Sequence, residues 1–211
     1  MSQIIDLIGK RILPDALETL YAEPFTAESL ARDFDIRDGE WNVQDGWLTG
    51  KNPHNAPGMI ISRAEYREDV MLDFLARTVL PSTHDIDVMW NGSWDRAANA
   101  RGTAYVAGIQ GWWDGKVGLE RSPDYVLNAT TALLPFEPGR VYRVQCGSVA
   151  RHLFVVVDGK LALELTDPSP IDVTQHGLIS FEAYASHIQF TDFKIKRAVF
   201  TPMRKEYSPE F

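Results

Sequence analysis

Apolar and polar residues alternate through most of the chain from Phe25 onward, and the alternation has the two-residue period of a half-buried strand. In "HDIDVMWN", Ile86, Val88 and Trp90 fall on one side, with Asp85, Asp87, Met89 and Asn91 on the other. "GEWNVQDGWLTG" and "FVVVDGKLALEL" each place an Asp-Gly pair, Asp45-Gly46 and Asp158-Gly159, between two apolar runs, which predicts tight hairpins. Further strands are predicted in "GMIIS", "EDVMLDFLART", "TAYVAGIQGWW", "KVGLERS", "DYVLNATTALL" and "RVYRVQC". "GLISFEAYASHIQFTDFKIKRA" predicts two more strands joined by a polar corner. Around ten strands without alternating helices point to an all-β sandwich of two antiparallel sheets. Only the first 22 residues carry a helical spacing, in Ile4, Ile5, Ile8 and Ile12, and Pro14 divides that segment in two. The expected organisation is an N-terminal helical extension over 1–24, a sandwich over 25–200 and a polar tail over 201–211. The extension serves either as a cap on the sandwich or as a contact between copies in a homo-oligomer.

Composition narrows the function classes. Of the 211 residues 45 % are hydrophobic, and 29 acidic against 21 basic residues give a formal net charge of −8. Nucleic acid is a poor partner for that balance, since phosphate binding needs clustered Lys and Arg. No run approaches the roughly 20 apolar residues of a membrane-spanning helix. No secretory leader pattern is visible, so a cytoplasmic address is expected. The single Cys146 sits in a strand and is expected to be a buried thiol. Neither a metal-ligand spacing among the five His residues nor a nucleotide-binding fingerprint appears. No cofactor is therefore expected, with a divalent cation left open.

Three patterns resemble known families. "WNVQDGWLTG" near the start, the "FVVVDGKLALEL" hairpin and the closing "GLISFEAYASHIQFTDFKIKRA" are similar to the concanavalin A-like jelly rolls of the 3-keto-disaccharide hydrolase and YesU-like families. "VGLERSPDYVL" resembles a YesU-like run. The resemblance covers about residues 25–198 and implies a jelly roll whose curved sheet holds a carbohydrate. It departs from the 3-keto-disaccharide hydrolase pattern in the penultimate strand, where Glu182-Ala183-Tyr184 replaces a Gln-x-His.

The chemistry-bearing positions follow from alternation. Ile179, Phe181 and Ala183 suit the inter-sheet core, so Glu182 and Tyr184 are expected on the ligand-facing side. Asp87 shares that logic in its own strand, although Asp85-x-Asp87-x-Met89 lacks the third carboxylate of the glucanase Glu-x-Asp-x-Glu pattern. "AGIQGWWDGKVGLERS" places Trp112 and Trp113 among bare glycines, as a sugar-stacking platform or as rim packing. Glu120 and Arg121 follow, either as site residues or as a surface pair. Glu182, Asp87 and Glu120 are the expected catalytic carboxylates; Trp112, Trp113, Arg121, Tyr184, Asn91, Gln110 and His54 are the expected substrate contacts. The two functions these residues suit are base-assisted cleavage of a (3-keto-)glycoside and sugar binding without catalysis. Either implies a small-molecule or oligosaccharide ligand.

Overall fold

The computed structural model describes residues 3–111, 116–132 and 135–204, except the side chain of Asn55. In chain order its elements are β1 (Ile5–Leu7), β2 (Lys10–Ile12), β3 (Thr19–Tyr21), α1 (Ala27–Asp33), β4 (Phe34–Ile36), β5 (Glu40–Gln44) and β6 (Trp47–Ser62). Next come β7 (Val70–Thr78), β8 (Ile86–Gly92), β9 (Trp94–Asp95), β10 (Ala100–Arg101), β11 (Ala104–Ile109), β12 (Val117–Ser122) and β13 (Leu127–Thr131). β14 (Tyr142–Val149), β15 (His152–Val157), β16 (Lys160–Thr166), β17 (Leu178–Arg197) and β18 (Thr201–Pro202) complete the chain.

Two layers form the expected all-β jelly roll, and both are threaded by β6 and β17. The first half of β17 pairs with β8, and that layer, the front one, continues outward through β11, β12 and β13. The second half pairs with β7 and leads, as the back layer, through β14 and β15 to β16. β6 stays hydrogen-bonded to β17 along both halves, with a register shift between Tyr184 and Ser186. The polar corner expected between two strands is therefore a bend inside one 20-residue strand. Ala185, at φ +48°, supplies the bend, and the ladder to β6 resumes beyond it.

The core between the layers contains the side chains that alternation assigned to it. Ile86, Val88, Trp90, Ile179, Phe181 and Ala183 from the front layer meet Leu72, Phe74, Val144, Val155 and Phe190. Phe181 lies 4.5 Å from Phe190 and 4.8 Å from Phe193, ring centre to ring centre. Both Asp-Gly hairpins close as two-residue turns with positive φ at each turn residue. Cys146 is free and fully buried, and burial pushes its thiol pKa up.

The N-terminal segment departs from its helical reading. β1 and β2 form a hairpin around Ile8-Gly9, with Gly9 at φ +71°, and β18 extends it into a three-stranded sheet. Ile5, Leu7 and Ile12 cover Met71, Phe154 and Val156 on the outer side of the back layer. Ile spacing alone fitted a helix, but Gly9 is the turn signal that the spacing obscured. The one α-helix among the described residues falls instead at Ala27–Asp33, where Thr26 and Ser29 cap each other's backbone N–H groups.

Candidate functional site

Register builds the site on the open face of the front layer. Glu182 in β17 stands directly opposite Asp87 in β8. On the other side of Asp87 come Gly108 in β11 and Gly118 in β12, which carry no side chains to fill the row. One row along lie Ser180, Met89, Val106 and Glu120. The sheet thus carries two facing carboxylates beside a bare stretch of floor. A cleft of about 580 Å³ opens above them, bordered by Asp85, Asp87, Arg101, Glu182, Tyr125 and Tyr184.

The small β9–β10 hairpin sends Arg101 back over the sheet. Its Nη1 donates to both oxygens of Glu182 at 2.6 and 2.5 Å. Nη2 reaches Glu120 Oε1 at 3.3 Å, and Nε donates to Ser122 Oγ at 3.0 Å. Both glutamates are at least 96 % buried at the side chain, and Arg101 is 11 % exposed. Burial works against the guanidinium charge, but Glu182 outweighs it and leaves Arg101 firmly protonated.

Among the described residues one cation, Arg101, therefore serves four buried carboxyl groups, and the balance shows in their proton affinities. Burial pushes Asp87 well above the ordinary carboxylate range, with the charges of Asp85 and Glu182 adding to the effect. Asp85 is also raised, chiefly by burial, while a hydrogen bond from Asp87 moderates it. Burial and the nearness of the two carboxyl groups thus favour the protonated form of the pair. Glu120 is pushed up to about 7 by burial, against the pull of Arg101. Asp87 Oδ1 and Glu120 Oε2 are buried and lack a hydrogen-bond partner among the described residues. Such orphaned acceptors are costly and concentrate where a protein does chemistry.

Backbone strain surrounds the same spot. Asp85, Gln110, Tyr125 and Ala185 all have positive φ, at +78°, +60°, +53° and +48°. Non-glycine residues rarely adopt this conformation, and it clusters at functional sites. The Gln110 carbonyl accepts the Asp85 N–H at 3.2 Å, which fixes the entry to β8. Gly111 packs so close that a Cβ there would stand 2.4 Å from Asp85 Oδ1.

Of the expected site residues, Glu182, Asp87 and Tyr184 border the cleft, and Glu120 lies beneath Arg101. Trp112 and Trp113 lie outside the described residues. Arg121 does not join the site. It follows Glu120 in a strand and so faces the other way, where Nη1 donates to both oxygens of buried Asp167 at 2.9 and 2.8 Å. Asn91 likewise turns inward: at φ +44° it leaves the alternation of β8, and its Nδ2 donates to the Glu68 carbonyl while Oδ1 accepts from Ser148. Gln110 contributes its backbone, and exposed His54 is not among the residues bordering the cleft. Arg101 and Tyr125 are additions. Nothing local in "NARGTAYV" or "SPDYVL" marks them, because their partners are remote in sequence. Asp85 did carry a signal, the Asp-x-Asp spacing. Among the described residues no group of three or more His, Cys, Asp or Glu is arranged to hold a metal ion.

The fold and the face that carries the cleft define a concanavalin A-like, galectin-like jelly roll. No family model matches the chain, and no curated protein matches it in sequence. Solved structures do match. A Bacillus subtilis protein of unknown function with a galectin-like fold superposes with a TM-score of 0.66 at 14 % identity, covering 86 % of this chain and 97 % of that one. The carbohydrate-binding module CBM66 from Bacillus subtilis gives 0.60 at 12 %, covering 78 % and 95 %. The β-glucanase of Bacillus licheniformis gives 0.56 at 11 %, covering 87 % and 100 %. The fold is thus shared with both glycoside hydrolases and carbohydrate-binding modules.

Proposed function

We propose that the chain is a carbohydrate-active enzyme that cleaves a glycoside in the front-layer cleft, with Asp87 as proton donor and Glu182 as the opposing carboxylate. The observation that carries this reading is the buried pair itself. Asp87, whose carboxyl burial and Asp85 push toward the protonated form, stands directly opposite Glu182, which Arg101 holds in place. Directly paired residues on neighbouring antiparallel strands have Cα atoms about 4.5–5.5 Å apart. Carboxyl groups on side chains this close can reach the roughly 5–5.5 Å separation of retaining glycosidases.

On a simple glycoside Asp87 protonates the leaving oxygen while Glu182 attacks the anomeric carbon; water, deprotonated by Asp87, then displaces Glu182 from the glycosyl-enzyme and releases the sugar. On a 3-keto-glycoside, whose C2 proton the carbonyl acidifies, Glu182 takes that proton as the C1–O bond breaks and Asp87 protonates the departing group. Water then adds across the new double bond. Glu120 holds Arg101 from below, and the exposed rings of Tyr125 and Tyr184 offer flat faces for a pyranose. The second reading, sugar binding without turnover, is favoured by one feature: Arg101 occupies both oxygens of Glu182.

Release of aglycone from aryl glycosides and their 3-keto counterparts separates the two. The enzyme reading predicts turnover that falls about 10²–10⁴-fold in Asp87→Asn while saccharide binding persists. Saccharide binding with no product from either substrate series supports the binding-only reading.

A further inference from the structure

The cleft does not end at the carboxylates. A second cavity of about 580 Å³ shares Pro57, Arg101 and Tyr125 with it. A third, of about 300 Å³, joins the second at Arg37 and Trp94. The three form one track across the open face. Glu182 borders its first cavity and Leu178 its last, four residues apart on β17, or about 13 Å at 3.3 Å per residue.

The two ends have opposite chemistry. The far cavity is bordered by Arg37, Arg63, Arg67 and Arg96, against Asp35 and Glu65 as its only carboxylates among the described residues. Arg63 is paired with Asp35 at 2.7 Å, and Arg67 with Glu65 at 2.7 Å. Arg37 has only a 3.5 Å contact with Asp35, and its Nε is buried with no hydrogen-bond partner among the described residues. The guanidinium of Arg37 lies 5.4 Å from the centre of the Trp94 ring, so its orientation is fixed. Arg96 makes no ion pair or hydrogen bond with any described residue. Two positive charges are thus left over at one end of a groove in a chain whose net charge is −8. Trp94 and Arg96 stand on the β9–β10 hairpin that also carries Arg101, so one short element shapes both ends.

We propose that this far end is a subsite for an acidic group on the glycan, a carboxylate or a sulfate ester, and that the substrate is an acidic oligosaccharide. The proposal rests on the glycoside reading above. The guanidinium fork matches planar carboxylates and sulfate oxygens with two parallel hydrogen bonds, and Arg37 and Arg96 are placed to supply it. A few sugar units span the distance to Asp87 and Glu182, so the charge is recognised away from the bond that breaks.

The test is calorimetric binding by the full chain of three length-matched oligosaccharides: neutral, uronate-bearing and sulfated. At least one acidic ligand is expected to bind tenfold or more tighter than the neutral one, and to weaken as salt rises. Arg96→Ala and Arg37→Ala should each reduce that preference severalfold, and Arg96→Lys should restore only part of it. Thermal melts of each variant report folding. Equal affinity for neutral and acidic ligands overturns the acidic subsite while leaving the sugar-cleft reading in place. So does a preference that both arginine variants leave intact. Failure of every oligosaccharide to bind overturns both.

Discussion

Arg101 is where electrostatics and architecture meet. Among the described residues it is the only cation bonded to two glutamates that are themselves almost wholly buried. Removing one partner of such a group leaves charge buried without compensation, which costs about 3–5 kcal/mol. Arg101→Ala is therefore expected to lower the melting temperature by roughly 6–20 °C, at about 2–4 °C per kcal/mol for a chain of this size. Adding Glu182→Gln should recover part of the loss, and a double-mutant cycle by denaturant titration measures how much. Asp85 gives a different signature. Its charge and its acceptance of the Asp87 proton both hold Asp87 up. In Asp85→Asn that charge is gone, so Asp87 ionises at lower pH, and the basic limb of the pH–rate profile should move to lower pH. A residue that merely supports the fold would change the height of the profile and not the position of its limb.

At the scale of elements, loops and bends place the chemistry that the strands carry. The turn after β11 brings Gly111 against Asp85, and a methyl group there would stand 2.4 Å from Oδ1. Gly111→Ala should displace the carboxylate and cost on the order of 10² in kcat, as ångström-scale misplacement does, with a melting temperature close to that of the parent. The N-terminal hairpin behaves as ordinary core. Ile12 is fully buried against the back layer, so Ile12→Ala should destabilise by about 2–5 kcal/mol without changing substrate affinity. These elements also show what was legible beforehand. Alternation put Glu182, Asp87 and Tyr184 on the face that borders the cleft, because a strand with one buried face fixes the direction of every side chain. It failed at Asn91, where positive φ breaks the period, and at Arg121, whose strand neighbour Glu120 already occupied the site face. Arg101 was out of reach because its role depends on a hairpin folding back over partners up to 81 residues away. The 1–22 segment misled for a related reason: isoleucines four apart fit a helix, yet a glycine at φ +71° reverses the chain between them.

For the molecule as a whole, the raised carboxyl groups set how stability varies with pH. Glu120 binds its proton more tightly folded than unfolded, with a folded pKa of about 7, and Asp85 and Asp87 are raised likewise. Between about pH 4 and 7 the native state therefore holds more protons than the unfolded chain, so stability falls as pH rises through that window. Melting temperature should be lower at pH 8 than at pH 5.5, and Glu120→Gln should flatten the decline. The buried carboxyl cluster is thus also a standing cost to the fold near neutrality, as expected where a protein trades stability for a site. The most direct test is the pH dependence of glycoside cleavage by the native chain beside Asp87→Asn. The account predicts a native rate that declines as pH rises through the Asp87 titration, and a variant that is at least a hundredfold slower with that limb abolished. An Asp87→Asn protein that cleaves the same glycoside at the native rate, with the same profile, would contradict it.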